Sequence, residues 1–359
     1  MSIVRPFPAR VVRQDWASRA VTAMPDPLDE TGPDPAPTVF DPAAYDGSAA
    51  ALYVYRQRGH GASHTGVVCE VTVQAFVDGQ VRGHEAVDMR RVEALVRHQA
   101  STTAPPALLT LLHRPGAAFT RTLETTRRTA PILDFAGPDG LQQTVWRVPE
   151  GSGMLSVARE LAAADHYIAD GHHRVAAALA QWRLGGGKPA DAGLLCVIHP
   201  MDDLRLSAFH RRLTGPLDPA EVVRLLTAAF QVRAVPEPPA PMPGTFGLYV
   251  GHRWFAVSHQ GNHGGCRADL DVAVLQTQVL ERLEQLRPRP SYPVEMAATR
   301  MSIDELTERC DADGGALFTL APPPLEALTA LADAGEVMPP KTTYFAPKPC
   351  AGIFLRPEQ

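Results

Sequence analysis

The stretch Tyr167-Ile168-Ala169-Asp170-Gly171-His172-His173-Arg174 constrains the fold of this chain more than any other. It joins a short apolar, strand-like run directly to the helix-like run from Val175 to Leu184, and the Asp-Gly pair is the only punctuation between them. A strand that restarts at once as a helix leaves several first-turn N–H groups without intrahelical partners. Two imidazoles and a guanidinium are added at the same place. The chemistry expected there is an anion pocket, most plausibly for phosphate.

The same residues also admit a purely structural turn, with Asp170 as an ordinary turn or N-cap residue and a solvated His-His-Arg first turn. Electrostatics separates the two readings. Cations in a first helical turn oppose the macrodipole at a cost of a few tenths of a kcal/mol each, so an uncompensated cluster is locally unfavourable and a bound anion would reverse the sign.

With 359 residues and 45% hydrophobic content, the chain can bury one large core or two moderate ones without disulfides or a structural metal. A formal charge of -5 and a pI near 6.2 argue against a broad nucleic-acid footprint and leave room for a local basic pocket. Cys69, Cys196, Cys266, Cys310 and Cys350 are odd in number and unpaired in spacing, as expected of reduced thiols. There is no apolar h-region at the N-terminus and no run of about 18 apolar residues. A cytoplasmic protein without a membrane partner is expected.

Residues 24–45, rich in Pro, Asp and Ala, read as a connector, with ordered structure resuming near Ala50. Runs 52–56 and 65–76 read as a hairpin around Gly59 to Ser63, and 88–99 as a helix capped by Asp88. Strands at 107–112, 132–135, 144–148 and 193–199 alternate with helices at 119–128, 155–163 and 219–230. Beyond the Pro-rich stretch 235–244 come a hairpin (245–250 and 254–258), helices at 272–286, 303–310 and 325–334, and a strand at 316–320. The expected class is α/β (α+β), with a mixed sheet and helices. Its organisation is an N-terminal segment and connector over 1–49, a core over 50–235 and a C-terminal α/β region over 245–359.

Several motifs, in this order, carry a resemblance: Tyr53-Val-Tyr-Arg-Gln57, His84-Glu85, Thr144-Val-Trp146, the turn at 167–174, Leu270-Asp-Val-Ala-Val-Leu-Gln276 and the segment from Ala334 through Met338-Pro339-Pro340-Lys341 to Phe345. Over about residues 5–355 the chain resembles the prokaryotic domain-of-unknown-function 1015 family. More locally, the order strand, His84-Glu85, helix, strand and Asp-Gly-His-His-Arg resembles the core shared by ParB-type nucleotide-binding domains, sulfiredoxin and the free serine kinases, the last most of all. Where sulfiredoxin has a cysteine, His172 stands here, which removes its sulfur chemistry. The chain also departs from the wider family: Ala94-Leu95 stands near the place of a frequent Asp-Arg, Val87 replaces a common threonine, and residues 293–299 lack the expected glycines.

The resemblance to the serine kinases implies that Gly171, His172, His173 and Arg174 hold nucleotide phosphates and that Glu85 acts as base toward a serine hydroxyl. Phosphoryl transfer needs such donors together with a base and a metal-binding carboxylate. Asp170 and His172 complete the catalytic candidates, and Asp170 is the candidate ligand for Mg²⁺. Lys341, on a loop stiffened by two prolines, could reach phosphate, as could Lys348. Arg211 is either half of a surface ion pair or, with His84 and Thr342, a substrate contact. The expected function is a Mg²⁺-dependent kinase passing phosphate from ATP or ADP to free L-serine or a related amino acid. The alternative is a noncatalytic, ParB-like nucleotide-binding module. A metal hydrolase on His84, His172 and His173 is disfavoured, because adjacent helical histidines diverge by about 100°.

Overall fold

The computed structural model describes residues 2–23, 41–101, 107–188, 192–259, 270–285, 294–298 and 301–356, so most of the expected 24–45 connector lies outside the described residues. The fold is mixed α/β, and the chain divides into two compact units. The first comprises residues 1–83, 87–205 and 345–359; the second comprises 84–86 and 206–344.

The first unit is built on a nine-stranded mixed sheet. Its order is Val81–Arg82, His166–Asp170, Leu109–His113, Gly193–Pro200, Ala62–Thr72, Tyr53–Gly59, Gln142–Arg147, Leu133–Ala136, with Val4–Arg5 also on Ala62–Thr72. His166–Asp170 runs parallel to Val81–Arg82 and antiparallel to Leu109–His113, which in turn is parallel to Gly193–Pro200. Alternation sends Tyr53 and Tyr55 into one core with Phe7 and Phe354, and Leu52 and Val54 into another with Leu111, Phe119, Leu161 and Ile168. Both faces are therefore covered, and the strands read as near-continuous apolar runs. The hairpin turns at His60 and Gly61, both at positive φ.

Two expectations need correction here. Asp41 caps a short turn before the strand Tyr45–Gly47, both upstream of the expected start near Ala50. The N-terminal residues are also no separate segment, since Val4–Arg5 pairs with Val71 and Glu70, and Arg10–Val12 lies between Tyr45–Gly47 and Phe354–Leu355.

The second unit carries a seven-stranded sheet in the order Gln231–Val235, Arg253–Ser258, Thr245–Val250, Ala316–Thr319, Arg205–Leu213, Val294–Ala298, with Thr343–Ala346 also on Arg205–Leu213. Phe246, Leu248, Val257 and Phe318 form its apolar centre with Leu226 of the helix Pro219–Thr227 and Val279. The unit thus begins at 206, upstream of the Pro-rich stretch expected to mark the boundary, because Arg205–Leu213 is a central strand of this sheet. Nothing in the run Arg-Leu-Ser-Ala-Phe-His-Arg-Arg-Leu advertises a buried strand. The helix expected over 272–286 is helical over its described residues and contains a π-helical stretch, Leu275–Leu280.

Candidate functional site

The Asp-Gly-His-His-Arg turn lies in the first unit and has the expected local form. The strand His166–Asp170 ends on Asp170, Gly171 takes φ +107°, and the helix His172–Leu184 begins on the next residue with no side-chain cap. Glycine is needed there twice over. A side chain would be strained at that φ, and a Cβ would stand 2.5 Å from Leu109 Cδ2 and 3.0 Å from Arg174 Nη2. Gly171→Ala is therefore expected to cost about 1–3 kcal/mol of first-unit stability, read as a lowered urea midpoint; an unchanged midpoint would show that the turn relaxes at no cost.

The charges at this turn are disposed differently from the sequence expectation. Arg174 Nη1 donates to the carbonyls of Ala107 and Leu108 at 2.8 and 3.0 Å, and Nη2 donates to Asp170 Oδ2 at 2.6 Å. Lys348 Nζ donates to the other carboxylate oxygen, Oδ1. All three side chains are less than a fifth exposed. Burial alone would push the Asp170 carboxyl up, but Lys348 and then Arg174 outweigh it and hold the group far below the usual carboxylate range.

His172 is buried, and that burial pushes its imidazole down to about 4, so it is neutral at pH 7. His173 accepts the Asp88 N–H at Nε2, 3.0 Å away, which places no proton on that nitrogen. The cluster read as three cations facing the helix dipole therefore contains one, and the chain's own Asp170 neutralises it. What remains for an external anion is the uncapped first turn beside Gly171, together with one net positive charge from Lys348, Arg174 and Asp170.

This donor set does not fit a resident Mg²⁺. Both oxygens of Asp170 are engaged by cations, and among the described residues no group of three His, Cys, Asp or Glu side chains could hold a metal ion. The expectation of Asp170 as a metal ligand gives way to a charge-clamp role.

The second unit brings together the two remaining motifs, about 250 residues apart in the chain. Glu85 and Met338 form a parallel bridge, with Met338 N–H on the His84 carbonyl at 2.7 Å and Ala86 N–H on the Met338 carbonyl at 3.3 Å. Glu85 Oε1 accepts the N–H of Lys341 at 3.1 Å. Lys341 has φ +56°, a left-handed conformation that costs a non-glycine residue on the order of 1 kcal/mol and needs such an anchor. Its ammonium lies 5.7 Å from the centre of the Phe209 ring.

Arg211 is not in a surface ion pair. It is 2% exposed; Nη1 donates to the Phe209 carbonyl, and Nη2 donates to the carbonyls of Pro340 and Lys341 at 3.1 and 3.0 Å. Burial lowers its guanidinium to about 10, with the Glu85 carboxylate opposing that shift. His84 and Thr342, expected as substrate contacts, are also buried. His84 Nε2 bonds the Thr343 hydroxyl at 2.8 Å, and the Thr342 hydroxyl donates to the Pro339 carbonyl at 2.6 Å. These three side chains shape the Met-Pro-Pro-Lys loop from inside. Thr343 was missed from sequence, where nothing distinguishes it from Thr342.

The family model for a protein of unknown function, DUF1015, matches residues 46–284. No curated protein gives a significant match. Among solved structures, a free serine kinase variant in complex with AMP is 18% identical, with 78% of this chain and 87% of that chain covered and a TM-score of 0.44. A conserved hypothetical protein from Pyrococcus furiosus is 17% identical, with coverage of 78% and 90% and a TM-score of 0.41. C-terminally truncated SbnI from Staphylococcus aureus is 11% identical, with coverage of 79% and 85% and a TM-score of 0.43. Because the family match spans well over half of its residues, the chain belongs to the DUF1015 family.

Proposed function

We propose that the protein is a small-molecule kinase that takes a phosphoryl group from ATP or ADP and passes it to the hydroxyl of free L-serine or a related amino acid. The observation that carries this reading is the uncapped start of the helix His172–Leu184 on a positive-φ glycine, with the Asp170, Arg174 and Lys348 clamp at its base. Backbone N–H groups fixed in this way are preorganised donors for phosphate oxygens and need no reorganisation as charge shifts in transfer. Arg174 then acts by positioning Asp170, and Lys348 supplies the positive field. His172, neutral and buried, fills the turn.

In the reaction the substrate hydroxyl oxygen forms a bond to the terminal phosphorus as the bond to the bridging oxygen breaks. The nucleotide leaves as ADP from ATP, or as AMP from ADP. The hydroxyl proton passes to the Glu85 carboxylate, whose Oε1 is oriented by the Lys341 N–H. The resemblance of the Asp-Gly-His-His-Arg turn to that of the free serine kinases supports this assignment.

One observation favours a second reading, a noncatalytic nucleotide-binding module. The Glu85 carboxylate is already employed in anchoring the strained Lys341 turn. Phosphorus NMR of the full chain with Mg²⁺ and ATP or ADP, with and without L-serine, separates the two. A serine-dependent phosphomonoester signal is expected; nucleotide that binds and stays intact with serine and other amino alcohols would select the binding module.

A further inference from the structure

A cavity of about 360 Å³ opens on the second unit; none of the residues assigned above lines it, and its lining contains no Asp, Glu, Lys or Arg. Leu206 and Ala208 form its floor with Leu320 and Ile303, and Pro238, Pro239 and Pro241 form a wall. The wall is stiff because each proline fixes its own φ. It can lie close to the sheet because residue 247 is glycine: a Cβ there would stand 2.3 Å from Thr319 Oγ1 and 3.0 Å from Pro239 Cγ. The cavity is thus preformed, and its volume falls in the range of small-molecule sites.

Its lining includes the hydroxyls of Ser207 and Thr319 and the imidazole of His210, which is 5% exposed. His210 Nδ1 accepts the Leu320 N–H at 3.2 Å, so the ring proton resides on Nε2. Burial, helped by Arg211, pushes the imidazole down to about 4 and keeps it neutral at pH 7. Among the described residues Nε2 has no hydrogen-bond partner, and the ring lines the cavity. A neutral N–H donor in a charge-free apolar cleft selects an uncharged ligand with one acceptor oxygen, since an ionised group would be desolvated against prolines and leucines with no counter-charge.

We infer that this cleft is a binding site for an uncharged, mainly apolar small molecule whose carbonyl-type oxygen accepts from His210 Nε2–H. The site is separate from the phosphotransfer reading and does not depend on it.

Three phenyl probes of similar size test it on the full chain: acetophenone, which has the acceptor; ethylbenzene, which lacks it; and benzoate, which is charged. Binding is read from the NMR shift of the Ala208 methyl group. Acetophenone is expected to give a saturable shift, with ethylbenzene at least 3-fold and benzoate at least 10-fold weaker. Ala240→Trp, at an exposed position on the wall, fills the mouth without touching the core and should weaken acetophenone at least 10-fold. The absence of a saturable acetophenone shift overturns the inference, as does binding of ethylbenzene or benzoate as tight as that of acetophenone, or unchanged affinity in Ala240→Trp.

Discussion

Acidification from pH 7 toward pH 4 is expected to unfold the first unit along an unusually steep stability curve. Three of its histidines are buried and neutral. Burial pushes His113 down to about 3, helped by the neighbouring His166 and His199, and pushes His172 down to about 4. It also lowers His166, against the opposing pull of the Leu161 carbonyl to which Nε2 donates at 2.7 Å. In the unfolded chain each would titrate near 6.5.

The sign follows from proton counting. Below about pH 6.5 the unfolded chain takes up protons that the native chain refuses, so the stability these residues contribute is complete above that pH. It is lost as pH falls toward the native values of about 4 for His172 and 3 for His113. With His113 and His172 the slope approaches about 3 kcal/mol per pH unit, and His166 adds to it in the same direction, enough to exhaust a typical domain stability of about 5–15 kcal/mol within a few pH units. Asp170, held below its ordinary range, adds a loss of the same sign below about pH 4.

Urea titrations at pH 7, 6 and 5, followed by hydrogen exchange in the strands Gln142–Arg147 and Gly193–Pro200, measure this slope. His113→Phe keeps a ring against Phe119, now 4.3 Å from the imidazole between centroids, and removes one titrating group. It should reduce the slope by about 1.4 kcal/mol per pH unit. A midpoint flat from pH 7 to pH 5 would mean that water reaches these rings in the native state.

What the sequence disclosed, and what it concealed, divides along local and nonlocal lines. The strand, glycine and helix at 166–184 were legible because strand periodicity, Asp-Gly punctuation and helix composition all lie within one short window. The charge state of that turn was not, because Arg174 finds its partners at Ala107 and Leu108, and Lys348 reaches Asp170 from 178 residues away. A dipole argument confined to the first helical turn counted three cations where tertiary contacts leave one. Arg205–Leu213 escaped for a related reason: its three arginines and one histidine read as surface. Arg211 is nevertheless buried because backbone carbonyls of the distant Pro-Pro-Lys loop satisfy it, and only the fold brings them there.

Glu85→Gln is the substitution expected to affect phosphotransfer most, lowering kcat by about 100- to 10,000-fold with little change in folding. The amide keeps an oxygen that can accept the Lys341 N–H, so the bond that anchors the left-handed turn at 3.1 Å survives, while the group that would take the hydroxyl proton is gone. Arg211 loses its opposing carboxylate, which should cost on the order of 1 kcal/mol, far short of unfolding. Glu85→Ala removes both functions and should lower the urea midpoint of the second unit as well. A kcat that falls in Glu85→Gln with stability lowered by no more than about 1 kcal/mol identifies a proton acceptor. Full turnover in Glu85→Gln, with loss only in Glu85→Ala, would make Glu85 the anchor of the Lys341 turn and nothing more. The isosteric pair distinguishes chemistry from architecture because the two roles use different properties of one carboxylate, its basicity and its lone-pair position.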